Sequence, residues 1–113
     1  MSHMPVLDSF RHWMQQEQEW LQRRYITTEE RKQDDTTCNE HSFEPFIGYN
    51  HESKKAIGQV TVWASRQMEF EVINLATEER LLWTYVEQIE EQSADFKTIL
   101  EPYFDALQSG DKV

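Results

Sequence analysis

The stretch Gly58–Leu75, GQVTVWASRQMEFEVINL, decides the fold. Apolar and polar residues alternate on both sides of a short polar interruption, the period-two pattern of two half-buried strands. With Ser65, Arg66 and Gln67 as a three-residue hairpin loop, Ala64 is expected opposite Met68, Val62 opposite Phe70 and Val60 opposite Val72. Directly opposed residues share a face, so these six form one apolar surface. The other surface then carries Gln59, Thr61, Trp63, Glu69, Glu71 and Ile73. A slip of one residue would bury both glutamates, and that cost selects this register. The pattern leaves a question: why a large aromatic stands beside two carboxylates on the face turned away from the core.

Working outward, Arg80–Gln88 (RLLWTYVEQ) reads as a further strand after the turn Ala76–Glu79. A four-residue loop there sets Trp83 opposite Val72 and Tyr85 opposite Phe70, on the core face. A five-residue loop would instead turn Leu82 and Val86 inward. The first is preferred because it buries the larger aromatics. Upstream, Ser42–Asn50 (SFEPFIGYN) alternates loosely; Pro45 cannot donate to a ladder, which places this strand at an edge. HESKK, 51–55, is a turn. Residues 26–41 carry almost nothing apolar after Ile26 and are expected to be a poorly ordered polar connection.

Two helices flank these strands. Val6–Tyr25 has Leu7, Phe10, Trp13, Met14, Leu21 and Tyr25 at helical spacing, with Asp8 or Ser9 as N-cap. Ser93–Gln108 carries the stripe Phe96, Ile99, Leu100, Tyr103, Phe104 and Leu107, with Ser93 as cap, Asp95 in the first turn and Gly110 as the stop. Pro102 falls inside it, so a kink or two short helices are expected. Two amphipathic helices and one apolar sheet face combine most economically as an α+β two-layer sandwich. The antiparallel sheet has about four strands, the N-terminal and C-terminal helices lie on one face, and the other face is left open.

A chain of 113 residues, rich in Trp, Tyr and Phe, is expected to fold as one domain spanning 1–113. Residues 1–4 have the look of a cloning remnant. The net charge of −10 disfavours nucleic acid and anionic membranes and favours a basic protein partner. Cys38 is the single cysteine, so no internal disulfide forms; with neither a signal-peptide pattern nor a membrane-length apolar run, a cytoplasmic protein is expected.

No cofactor or catalytic motif stands out. Cys38 and His41 have a spacing seen in zinc sites, but a structural site needs four ligands and there is no second Cys. Glu69 and Glu71 could act as general acid and base, but such pairs work in clefts, not on a flat sheet face. The expectation is therefore no metal, no cofactor and no enzyme activity. The acidic residues do cluster: from Gln67 to Asp95 there are eight, opposed only by Arg80. An aromatic ringed by charge has the make-up of a binding hot spot. Trp63, Glu69 and Glu71 are thus the expected contact centre, with Glu87, Glu90 and Glu91 as its rim.

The segments IGQVTVWASRQMEFEVIN (57–74), LLWTYVE (81–87) and ADFKTILEPYFDAL (94–107) resemble the TriTu-type bacterial immunity proteins. The likeness lies in a Gly followed by VTVW, a Ser, an acidic-flanked aliphatic strand and a terminal helix opening on DF. Length and leading helix agree, while 27–55 matches no part of the pattern. The resemblance implies an antidote to a Rhs-type ADP-ribosyltransferase toxin, delivered by type VI secretion, that modifies elongation factor Tu. It implies occlusion of the toxin's cleft, as a monomer or a 1:1 heterodimer with the toxin. The alternative from residues alone is an acidic adaptor or chaperone-like binding module.

Overall fold

The computed structural model describes residues 5–31, 45–89 and 95–112. The elements run α1 (Pro5–Gln16), α2 (Gln18–Arg23), β1 (Thr27–Arg31), β2 (Phe46–Glu52), β3 (Ala56–Trp63), β4 (Met68–Asn74), β5 (Arg80–Val86), α3 (Phe96–Ile99) and α4 (Glu101–Ser109). The fold is α+β. Among the described residues five strands form one open antiparallel sheet in the order β1-β2-β3-β4-β5.

The strand beyond the expected four is β1, within the stretch taken for a polar connection. Its inward residues, Thr28 and Glu30, are polar, which hid it from a reading based on apolar alternation. Glu30 is nevertheless satisfied: the Tyr49 hydroxyl donates to it at 3.1 Å and the Arg11 guanidinium lies 3.6 Å away. With β1 at the edge, β2 is an inner strand. Pro45 precedes β2 and lends its carbonyl to the Ala64 N–H at 2.9 Å. The polar segment 32–41 that follows β1 lies outside the described residues.

The β3–β4 hairpin keeps the expected faces but not the expected register. Val62 pairs with Met68, Val60 with Phe70 and Gly58 with Val72. The shift is two residues, one full side-chain period, so no residue changes face. Val60, Val62, Met68, Phe70 and Val72 are buried, and Ala64 packs against the core from a half-buried position. The turn tightens differently because Arg66 adopts a left-handed φ of 72° and Trp63 exchanges bonds with Arg66 and Gln67.

The β5 expectation is overturned. Val72 pairs with Leu82 and Phe70 with Thr84, whereas Trp83 stands opposite Glu71 and Tyr85 opposite Glu69, on the outer face. A register irregularity between Val72 and Ile73 inserts one residue, Leu81. Such a bulge re-aims the strand, and Leu81, Leu82 and Val86 all join the core cluster. Burying Trp83 would have left its indole N–H in need of a partner; outside, it has one.

The first helix is interrupted at Glu17, whose N–H is shared between the Trp13 and Met14 carbonyls. Tyr25 leaves the expected apolar stripe: it sits past the end of α2 with φ 60° and is 74% exposed. Ile26 closes the end instead, donating to the Leu21 carbonyl and lying buried. At the other end of the chain Pro102 falls in the first turn of α4, so the expected stripe is carried by two helices. Asp95, not Ser93, is the N-cap of α3, accepting from the Thr98 N–H at 3.1 Å; Ser93 lies outside the described residues. Gly110, at φ 73°, ends α4 as expected.

Among the described residues, the ring contacts from α1 and α4 to the sheet fall on its inner face. Phe10 meets Tyr49, and Tyr103 meets both His51 and Phe70. Gly58 makes room for this packing, since a Cβ there would lie 2.7 Å from the Tyr103 hydroxyl. No helix among the described residues is long and apolar enough to cross a membrane.

Candidate binding face

The outer face of the sheet carries Trp63, Glu69 and Glu71, as the alternation predicts, but the two-residue register shift moves Trp63 out of its expected place opposite Glu69. Thr61 pairs with Glu69 and Gln59 with Glu71, so both carboxylates stand in one row on β4. Trp63 is half-buried, opposite Phe46 of β2. The strands then add two residues that the preferred β5 loop had turned inward. Trp83 is 49% exposed and Tyr85 42% exposed, and register places each beside one of the glutamates. The sequence signal for them was the longer loop, with Leu82 and Val86 inward, which the bulge realises.

The carboxylates are not bare. Trp83 donates its indole N–H to Glu69 Oε2 at 2.9 Å. Arg80 Nε lies 2.8 Å from Glu71 Oε2, a surface ion pair that adds little stability by itself. Each glutamate thus has a side-chain partner on its own sheet face. Gln59, Thr61, Glu69, Glu71, Arg80 and Trp83 line a shallow polar dimple of about 170 Å³.

Arg31 braces the same face. Its side chain crosses Gly48, where even a Cβ would strike the guanidinium. It donates to the Val60 carbonyl at 3.0 Å and to Thr61 Oγ1 at 2.5 Å. Burial lowers its pKa, though a guanidinium remains charged under all ordinary conditions. This cation ties β1 to β3 across β2, and nothing in the local sequence marked it.

Of the expected rim, Glu87 is exposed just past the end of β5. Glu90 and Glu91 lie outside the described residues, as do Cys38 and His41. Among the described residues no three His, Cys, Asp or Glu side chains gather as a metal site. Chemically, the face offers ordered carboxylates, exposed aromatic rings and a shallow depression, the ingredients of a docking surface for cationic groups.

A family model described as immunity protein TriTu matches residues 8–106. The chain belongs to the TriTu immunity protein family. The matched span contains all five strands, so the whole outer face lies within the part shared with TriTu proteins. No curated protein and no solved structure matches the chain. Membership makes this an immunity protein, whose partner is in general a toxin.

Proposed function

We propose that the protein neutralises an ADP-ribosyltransferase toxin of the Rhs, type VI-delivered kind by binding over its catalytic cleft, sparing elongation factor Tu in the cytoplasm of the producing cell. The observation that carries the reading is the TriTu family match over residues 8–106. The outer face supplies the chemistry. A cleft that binds NAD needs cationic groups for its phosphates, and carboxylates held by Trp83 and Arg80 complement such groups.

In this reading the chain acts as one domain, with both helical layers on one side of the sheet and the other side turned to the toxin. Trp63, Glu69 and Glu71 form the contact centre, joined by Trp83 and Tyr85. Glu87, Glu90 and Glu91 form a charged rim. The protein works by occlusion, as a 1:1 complex, and needs no cofactor or catalysis of its own.

The test is a titration of the toxin's catalytic domain with this protein, following ADP-ribosylation of elongation factor Tu. Modification should fall to background near one equivalent, and the two chains should co-elute. Full toxin activity at tenfold excess of this protein would overturn the proposal.

A further inference from the structure

On the helical side of the molecule, away from the outer sheet face, α1–α2 and α3–α4 leave a groove of about 290 Å³ between them. Three aromatic rings build it. Phe104, 6% exposed, is the floor. Trp13 and Trp20, both half-buried, are the walls, with ring centroids 6.3 Å and 5.6 Å from that of Phe104. The interruption at Glu17 sits between these two tryptophans. Glu17 lines the groove together with Glu101 and Asp105 of α4, against one cation, Lys97.

This composition selects its occupant. An apolar ligand would meet the rings but leave the three carboxylates of the lining without a complement. A second copy of a chain with net charge −10 would be repelled. A cation gains twice, from the ring faces and from the carboxylates. Among cations, a planar guanidinium stacks on indole while it hydrogen-bonds carboxylates in the ring plane, which an ammonium cannot do. The same ring already shows the preference: Arg24, which does not line the groove, places its guanidinium carbon 3.9 Å from the Trp20 centroid. The volume is at the small end of the ~300–1,000 Å³ typical of ligand pockets, suited to a side chain and not to a helix.

We propose that this groove seats an arginine side chain presented by an extended segment of a partner protein. The site is separate from the outer face and does not rest on the immunity reading. The protein would therefore have two independent contact surfaces, one broad and one built around a single residue.

The chain's four tryptophans make the test direct, because Trp13 and Trp20 line the groove while Trp63 and Trp83 lie on the outer face. Indole N–H resonances of the isotope-labelled protein are followed during titration with acetyl-Gly-Arg-Gly-amide and with the same peptide carrying citrulline or lysine. Saturable shifts at Trp13 and Trp20 are expected, with the neutral citrulline peptide roughly tenfold weaker. The double variant Glu101→Gln, Asp105→Asn, altered at two exposed positions, should stay folded and bind the arginine peptide several-fold more weakly. Absence of shifts at those two indoles, equal binding of citrulline or lysine, or shifts confined to Trp63 and Trp83 would each overturn the proposal.

Discussion

His51 is a histidine whose burial has consequences for folding. It is fully buried on the inner sheet face, with Nδ1 2.7 Å from the Tyr103 hydroxyl and Nε2 without a partner. Burial pushes its pKa down from 6.5 to about 4 and pushes that of Tyr103 well above its ordinary value, so both side chains are neutral in the fold. In the unfolded chain His51 takes up a proton below about pH 6.5; in the folded protein it does so only near 4. Its contribution is therefore complete above pH 6.5 and lost as pH falls toward 4, up to roughly 3 kcal/mol. His51→Phe removes this titration but strands the Tyr103 hydroxyl, at a cost of about 1–3 kcal/mol. The variant should be the weaker protein in urea unfolding at pH 7, and the gap should close between pH 6.5 and 4. Parallel stability curves for parent and variant across that interval would show that His51 is not the group responsible. Gly58, under the same Tyr103, was recognisable in the sequence only as part of a pattern. Its reason, contact with a tyrosine 45 residues further along, is a tertiary fact no local window holds.

At the level of elements, legibility followed the chemistry of the inward face. The β3–β4 faces were readable because Val60, Val62, Met68, Phe70 and Val72 on the inward side are apolar, and because the two-residue error in register returns every side chain to the same side. The split of the last helix was readable because Pro102 announces it. β1 was not readable, because its inward residues are the polar Thr28 and Glu30, and Glu30 is held by Tyr49 and Arg11 instead of apolar bulk. β5 was read on the wrong face because the Leu81 bulge shifts its parity, and preferring to bury the larger rings pointed the wrong way. The same preference hides two exposed rings of the outer face, Trp83 and Tyr85, by turning them toward the core. The pairing of β1 with β2, from Thr27↔Glu52 to Arg31↔Gly48, makes a prediction that separates the two readings. Alternate amides of Thr27–Arg31, those facing β2, should exchange slowly with deuterium. Uniformly fast exchange from 27 to 31 would restore the polar connection and remove β1 from the sheet. Replacing Arg31 with Met, which keeps a long stem but no guanidinium, should speed exchange in this strand first, because the tie to Val60 and Thr61 is lost.

For the whole molecule, the outer face and its charged rim should contribute to binding in different ways. Ordered aromatics at the centre of an interface resist dissociation once water is excluded. Exposed carboxylates at the margin act at longer range, steering a basic partner during approach, and salt screens that effect over about 10 Å. Trp83 is the informative central residue. It is half exposed, so its removal leaves the core intact, and it also holds Glu69 in place. Trp83→Ala should accelerate dissociation from the toxin by a factor corresponding to about 2 kcal/mol or more, with little change in the association rate. Trp83→Phe should recover only part of this, since the ring returns without the N–H that orders Glu69. Glu87→Gln should do the reverse, slowing association at low salt and becoming indistinguishable from the parent as salt rises. Surface plasmon resonance at two ionic strengths resolves all three variants, and circular dichroism verifies that each is folded. If a folded Trp83→Ala protein binds the toxin as the parent does, the outer face is not the interface, and attention passes to the helical side of the molecule.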